Sequence, residues 1–424
     1  MAHKTLVGGT AYDIIGGTTL VNGTSYKVNG GKVLVGGTAY NLSFMLPPTV
    51  LDMWSDPEYT LGANIACITY AEGYWVIGGR RFVNSNRYAY TVAYSTSLDG
   101  DWTYVDLWQT SRVSGESVSS VIYGNGYWIV AVNKYDDDYE CTCAEIFYSQ
   151  TIDGVWENKR LWREGEINCA TFANGYWVVG GRSEDDSYTY GRVYYNNTTP
   201  SGSWSGTSSV WSKKTSNRNV YDITYANGYW VVVGSGGESS DGYIYRSARV
   251  AYSSNAAPTS FTEKLLWSPL SSAAYTAAHS ITYANGYWVA VGDYGSGLGS
   301  SSKRRLAYAT SPNGTWTVIE PWTTGEYFPR QIMYEDGTWV IRAGRLSSSS
   351  STVHKGVVYI ATSLSGPWTE KEVWAASTAG KNCSIDDLLY ADGYYVAVGT
   401  AFENSSFHGR IAYAPSIAEL GDAQ

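Results

Sequence analysis

The sequence predicts an all-β fold, a seven-bladed β-propeller of four-stranded blades, and three observations carry that expectation. One is a phrase that recurs seven times: an aromatic, two small or polar residues, then Gly-Tyr-Trp or a near variant leading into β-branched residues. It runs from Tyr70, Tyr123, Phe172, Tyr225, Tyr283, Tyr334 and Tyr390. Its glycines stand at 73, 126, 175, 228, 286, 337 and 393, so successive differences are 53, 49, 53, 58, 51 and 56. A repeat of that length marks strand-rich units stacked on copies of themselves. The second is composition: 15% aromatic, 16% charged, 46 glycines and 11 prolines suit short strands joined by tight turns. Helical spacing is confined to Ser416–Leu420. The third is that the ends complement each other. The last repeat reaches Gly409–Ala414 and lacks a fourth strand, while Thr49-Val-Leu-Asp-Met-Trp54 matches Thr103-Tyr-Val-Asp-Leu-Trp108. The early strand completes the late blade and closes the ring, which hides the sheet edges an open stack would expose.

Taken in order, residues 1–46 form a glycine-rich β-repeat module. Leu6–Asp13, Leu20–Lys27 and Leu34–Asn41 are three copies, 14 residues apart, of a Leu-Val-Gly-Gly-Thr-Ala-Tyr-like phrase. Each reads as two very short strands around a turn, too small to bury a core alone. The module is therefore expected to lean on another chain or a larger body, with Pro47-Pro48 stiffening its exit. Residues 47–416 form the propeller and 417–424 a tail. Within the first blade the strands fall at Ile68–Tyr70, Tyr74–Gly78, Thr91–Ser95 and Trp102–Trp108, innermost to outermost. The turns Ala71–Gly73 and Leu98–Gly100 supply residues for positive φ. All 18 tryptophans fall on repeat positions, which makes them packing residues between blades.

This layout puts Ala66, Ser119, Asn168, Tyr221, His279, Arg330 and Asp386, each four residues before a repeat aromatic, around the axial mouth. Asn168, Tyr221, His279, Arg330 and Asp386 are the ligand-binding candidates there. The links from second to third strands vary in length, and variable loops on a uniform scaffold are where binding concentrates. Their tyrosines Tyr188, Tyr190, Tyr243 and Tyr245 are further candidates, beside Tyr135 and Tyr294. Arg192, Arg249, Arg305 and Arg410 recur before the third strands and read as rim positions rather than one cluster.

Several chemistries are disfavoured. A net charge of −9 argues against binding nucleic acid backbones. No apolar run approaches the ~20 residues of a membrane span, and no secretory h-region follows Met1. The five cysteines, Cys67, Cys141, Cys143, Cys169 and Cys383, lack a disulfide framework and read as structural thiols. No metal or cofactor is expected, since Cys141 and Cys143 beside Asp136–Asp138 have no histidine cluster. His3, His279, His354 and His408 supply no nucleophile motif. Glu166, Asp186, Asp293 and Glu326 are loop carboxylates of the kind a glycosidase pairs, but no spacing selects two of them.

The Leu-Val-Gly-Gly-Thr-Ala-Tyr repeat resembles N-terminal attachment segments of bacteriophage and prophage virion appendages, fibre-like proteins above all. The turns Ser97–Trp102, Thr151–Trp156 and Ser311–Trp316 resemble, in shorter form, the Asp-box turns of sialidase-like and lectin propellers. The Arg-Ile-Pro motif of sialidases is absent. The resemblance implies a non-enzymatic virion structural protein that displays a propeller to bind a host-surface glycan. Residues 1–46 would then contact other virion proteins and other copies of the chain. Two further readings are a propeller glycosidase or depolymerase acting on surface polysaccharide, and a purely structural capsid decoration protein.

Overall fold

The computed structural model describes the backbone of residues 3–422 except 8–9, 15–17, 22–23, 28–30, 36–37, 43–45, 57–62, 85–86, 112–115, 186–187, 208, 212–217, 241–242, 269–274, 296–302, 323–326, 346–353, 379–380 and 382; side chains before residue 46 and at strand ends beside some of those segments are likewise outside the description. The chain divides into two compact units, Met1–Pro47 and Pro48–Gln424. The first holds three separate antiparallel hairpins, His3–Val7 with Thr10–Ile14, Thr18–Val21 with Thr24–Lys27, and Gly31–Val35 with Thr38–Leu42. Their last pairs are Val7 with Thr10, Val21 with Thr24 and Val35 with Thr38, so all three turn at the same place in the 14-residue repeat.

The second unit is the predicted propeller, seven four-stranded antiparallel sheets. Blades 1 to 6 follow the chain. Blade 7 consists of Ser384–Ala391, Tyr394–Glu403 and Ser406–Ala414, with Thr49–Asp56 as its outermost strand. Thr49 lies opposite Tyr413 and Trp54 opposite Gly409. Every innermost strand packs against those of both neighbours, blade 7 against blade 1 included. Among the described residues there is no helix. Residues 416–422 are turns that bury Ile417 and Leu420 against the core of blades 6 and 7.

The first hairpin turn of every blade has two successive positive φ values, from Glu72-Gly73 and Asn125-Gly126 to Asp392-Gly393, the type I′ pattern that matches the strand twist. The turn from third to outermost strand keeps the expected positive φ at Gly366 of blade 6 but differs from expectation in blades 1, 2 and 5. Gly100, Gly154 and Gly314 are not among the positive-φ residues; each N–H closes a four-residue turn onto the carbonyl of Ser97, Thr151 or Ser311. At Gly154 the reason for glycine is space, since a Cβ would meet Thr151 Oγ1 at 2.7 Å and Ser149 Oγ at 2.8 Å. The second-to-third connections also differ, because much of each expected loop is ladder. Tyr74–Asn84 pairs with Arg87–Ser95, and Tyr229–Ser240 with Tyr243–Ser253. Continued pairing satisfies backbone groups that a loop would leave to solvent, and the Gly/Ser composition concealed it. Blade 3 departs the other way: its outermost strand is only Ser205–Gly206, where small residues replace the β-branched run of the other blades.

Packing follows the repeat. In each blade the aromatic of the innermost strand tilts against the next strand's Trp or Tyr395, with ring centroids 4.6 Å apart at Tyr334–Trp339 and 5.5 Å at Phe172–Trp177. No tryptophan is exposed; Trp75, Trp177, Trp211, Trp230, Trp288 and Trp339 are fully buried. Outer tryptophans also bridge blades. Trp108 stacks on Tyr90 of its own blade at 4.3 Å and on Phe147 of blade 2 at 5.5 Å. The indoles of Trp162, Trp211, Trp267 and Trp374 each donate to a carbonyl of the following blade.

Candidate functional site

All seven innermost strands carry a register shift at one place, where one residue is unpaired: Ala66, Ser119, Asn168, Tyr221, His279, Arg330 and Asp386. These are the positions the repeat register assigns to the axial mouth. A β-bulge adds a residue, bends the strand and re-aims its side chain. Here it gives every blade one extra residue facing the axis. The sequence holds a signal for it that the repeat register alone did not use. The second strand places a glycine against the bulge in five blades, Gly79, Gly181, Gly234, Gly292 and Gly399, where a Cβ would overlap a backbone oxygen of the bulged strand.

The seven residues line one axial cavity of about 330 Å³, together with the residues that follow them and Arg342. That volume is at the lower end of the ~300–1,000 Å³ of small-molecule sites. Its wall is polar and mixed in charge. Asp222, Gln331 and Asp387, each one residue past a bulge, accept the backbone N–H of the next blade: Ile281 at 2.9 Å, Leu388 at 3.0 Å and, across the ring closure, Ile68 at 3.0 Å. Ile223 N–H also donates to Asp222, and Leu388 N–H and Gln331 Nε2 to Asp387. These carboxylates are therefore latches between blades. Burial pushes Asp222 up to about 6 despite its donors, and raises Asp387 as well.

A second group faces the same space from blades 4 to 6. His279 Nε2 lies 2.8 Å from Asp293 Oδ2, and Arg330 Nη1 lies 2.9 Å from the same Nε2 and 3.1 Å from Nδ1. Burial, then the neighbouring Arg330, pushes the imidazole below its ordinary value, which favours its neutral form. The consistent tautomer donates from Nε2 to Asp293 and accepts at Nδ1 from Arg330. Asp293 is held below the usual carboxylate range because His279 and Arg330 outweigh its burial. With both nitrogens engaged, His279 is a buttress for Arg330 rather than a free base. Tyr221 tilts over the imidazole at 5.0 Å. Asn168 Nδ2 donates to Val220 O at 2.7 Å, which ties its amide to blade 4. Asp386 accepts from Ser384 Oγ at 2.8 Å, and burial pushes its carboxyl up to about 6.

The other candidates lie apart from this cavity. Tyr188 and Tyr190 are on the blade 3 hairpin. Tyr188 is exposed, and Tyr190 donates to Asp185 Oδ2 at 2.6 Å with Arg192 and Arg218 over its ring. Tyr243 and Tyr245 belong to the strand Tyr243–Ser253, but their side chains are outside the described residues. Tyr294 is buried under Arg305. The rim arginines do stay separate: Arg249 pairs with Glu263, Arg305 with Glu320 and Arg410 with Asp52, each across its own blade. Of the loop carboxylates, Glu166 lines a cleft of about 370 Å³ beside Cys141 and is bound to Arg182 at 3.1 Å. Asp293 is the His279 partner, and Asp186 and Glu326 are outside the described residues. Cys67 and Cys169 are buried past the bulges, their thiols on Gly78 O and Gly180 O. Among the described residues no three His, Cys, Asp or Glu side chains gather as a metal site.

No protein-family model matches the sequence, and neither does any curated protein. Among solved structures the chain is similar to the polysaccharide lyase Uly1, at 12% identity over 82% of this chain and 89% of that one, with a TM-score of 0.52. It is also similar to an α-L-arabinanase of Penicillium chrysogenum, at 11% identity over 88% and 98% of the two chains, TM-score 0.48. A third is the endosialidase of phage phi92, at 10% identity over 89% and 71%, TM-score 0.47. At these identities the likeness is one of fold.

Proposed function

We propose that the propeller recognises a glycan and takes one sugar unit at the axial mouth. The observation that carries this reading is the convergence of Asn168, Tyr221, His279, Arg330 and Asp386 on one polar cavity of about 330 Å³. Amide, guanidinium and carboxylate groups suit the paired hydroxyls of a pyranose, and Tyr221 offers a ring face. The fold shared with a polysaccharide lyase supports the carbohydrate class. In this reading residues 1–46 attach the propeller to a bacteriophage virion and to other copies of the chain, and the ligand belongs to the host surface. The test is a glycan array probed with the full chain, then with Tyr221→Ala and Asn168→Ala. A glycan bound by the parent and weakened tenfold or more in the variants supports the assignment; no binding, or binding that ignores both changes, overturns it.

A second reading, cleavage of the polysaccharide, is favoured by one group. The Asp386 carboxyl, at about 6, falls where a glycosidase acid would be poised. Release of reducing ends by the parent chain, lost in Asp386→Asn, would establish it.

A further inference from the structure

Resting on the glycan reading, we propose that the sugar unit at the axis carries an oxyanion, a carboxylate or a sulfate ester, held by the guanidinium groups of Arg330 and Arg342. Both arginines line the cavity. Neither makes an ion pair among the described residues. On the blade flanks the arrangement is the opposite: Arg81, Arg160, Arg182, Arg249, Arg305 and Arg410 each lie on a carboxylate.

The unpaired state is not for want of acids nearby, because those acids are already engaged. Asp222 and Asp387 hold backbone N–H groups of the blade junctions, and Asp293 holds His279 and the N–H of Ala277. Asp386 takes the hydroxyls of Ser384 and Thr400. The arginines are instead positioned by neutral groups. Arg330 Nη1 donates to the imidazole, while Arg342 Nε donates to Gln331 Oε1 at 3.0 Å and its Nη1 to Ile385 O at 2.8 Å. Arg330 therefore keeps Nε and Nη2, and Arg342 keeps Nη2, without a hydrogen bond among the described residues. A guanidinium fixed at one edge and open at another fits the two oxygens of a carboxylate or sulfate. The charges of Asp387 and Asp386 act on Arg342, and that of Asp293 on Arg330, without an ion-pair contact among the described residues, so a neutral sugar would leave the open N–H groups of both guanidinium groups with no anionic oxygen in contact. The chain's net charge of −9 repels polyanions at long range, so selectivity for them has to be local to this pair.

The test uses the full chain and a panel of uronate and sialate oligosaccharides, the same oligosaccharides with carboxylates reduced to alcohols, sulfated neutral oligosaccharides, and neutral ones. Affinity is measured by calorimetry at two salt concentrations. The expected result is binding to a carboxylated or sulfated member that falls at least tenfold on carboxyl reduction or desulfation and weakens with salt. The member bound identifies which oxyanion it is. Arg330→Gln should lose tenfold or more and level the preference, whereas Arg330→Lys, which keeps charge without the fork, should fall between. Arg81→Gln, a flank change, serves as the folding and affinity control. Equal binding of parent and reduced sugars, or a preference unchanged in Arg330→Gln and Arg342→Gln, overturns the inference and leaves the glycan reading standing. Binding to no member overturns both.

Discussion

Closure of the ring by the strand Thr49–Asp56 predicts an energetic coupling between residues at opposite ends of the propeller. Trp54 lies over Gly409: a Cβ built there would meet its indole Cδ1 at 2.8 Å and Cε2 at 2.9 Å, and the nearest atoms are all of that ring. Gly409→Ala should cost about 1–3 kcal/mol as an overpacked contact, and Trp54→Ala about 3–5 kcal/mol as a lost buried aromatic. In the double variant the new methyl enters the space the indole vacated, so the two penalties should not add. The double variant should be about 1–3 kcal/mol more stable than the sum of the single changes implies. Equilibrium urea unfolding followed by tryptophan fluorescence measures this, with unchanged m values as the condition for comparing midpoints. Additivity within about 0.5 kcal/mol would mean that Trp54 does not cover Gly409 in solution, and the closed ring would be wrong.

Two further predictions follow from burial. Asp222 moves from 3.8 to about 6 on folding, so the folded chain binds its proton more tightly than the unfolded one. Its contribution to stability should grow as pH falls through about 6; between pH 7.5 and 4.5 the parent should gain on the order of 2 kcal/mol relative to Asp222→Asn in urea titrations, and no gain would refute the burial of this carboxyl at the axis. Burial also raises the thiols of Cys67, Cys143, Cys169 and Cys383. A thiol-reactive probe at pH 8 should therefore label at most Cys141 in the native protein and all five cysteines in denaturant; rapid native labelling of Cys67 or Cys169 would place those strands wrongly.

The seven blades, their type I′ turns and the closing strand were legible because each depends on a local pattern repeated at fixed spacing. A turn such as Asn125-Gly126 declares its φ values, and Thr49–Trp54 declares its partner by matching Thr103–Trp108. The axial position of Asn168, Tyr221, His279, Arg330 and Asp386 followed from register for the same reason. The bulges were not read, although Gly79 and its counterparts mark them. The strand extensions were missed because Gly/Ser runs such as 234–240 pair through the backbone and leave no alternation of side chains. The contacts of Tyr190 with Asp185, Arg192 and Arg218 were not legible either, because residues close along a hairpin declare their pairing only once its register is set.

By itself, then, the chain determined how many blades there are, the order of strands within each, and how the circle is shut, since these rest on neighbours a few residues apart and on one repeated register. Which charges meet at the axis was decided only in three dimensions. His279 reaches Arg330 across 51 positions, and Asp387 reaches the N–H of Ile68 across 319. Side chains from separate blades come within hydrogen-bond range only once the ring has closed, so the state of Arg330, buttressed by His279 and in no ion pair among the described residues, is a property of the assembled circle and of no single repeat.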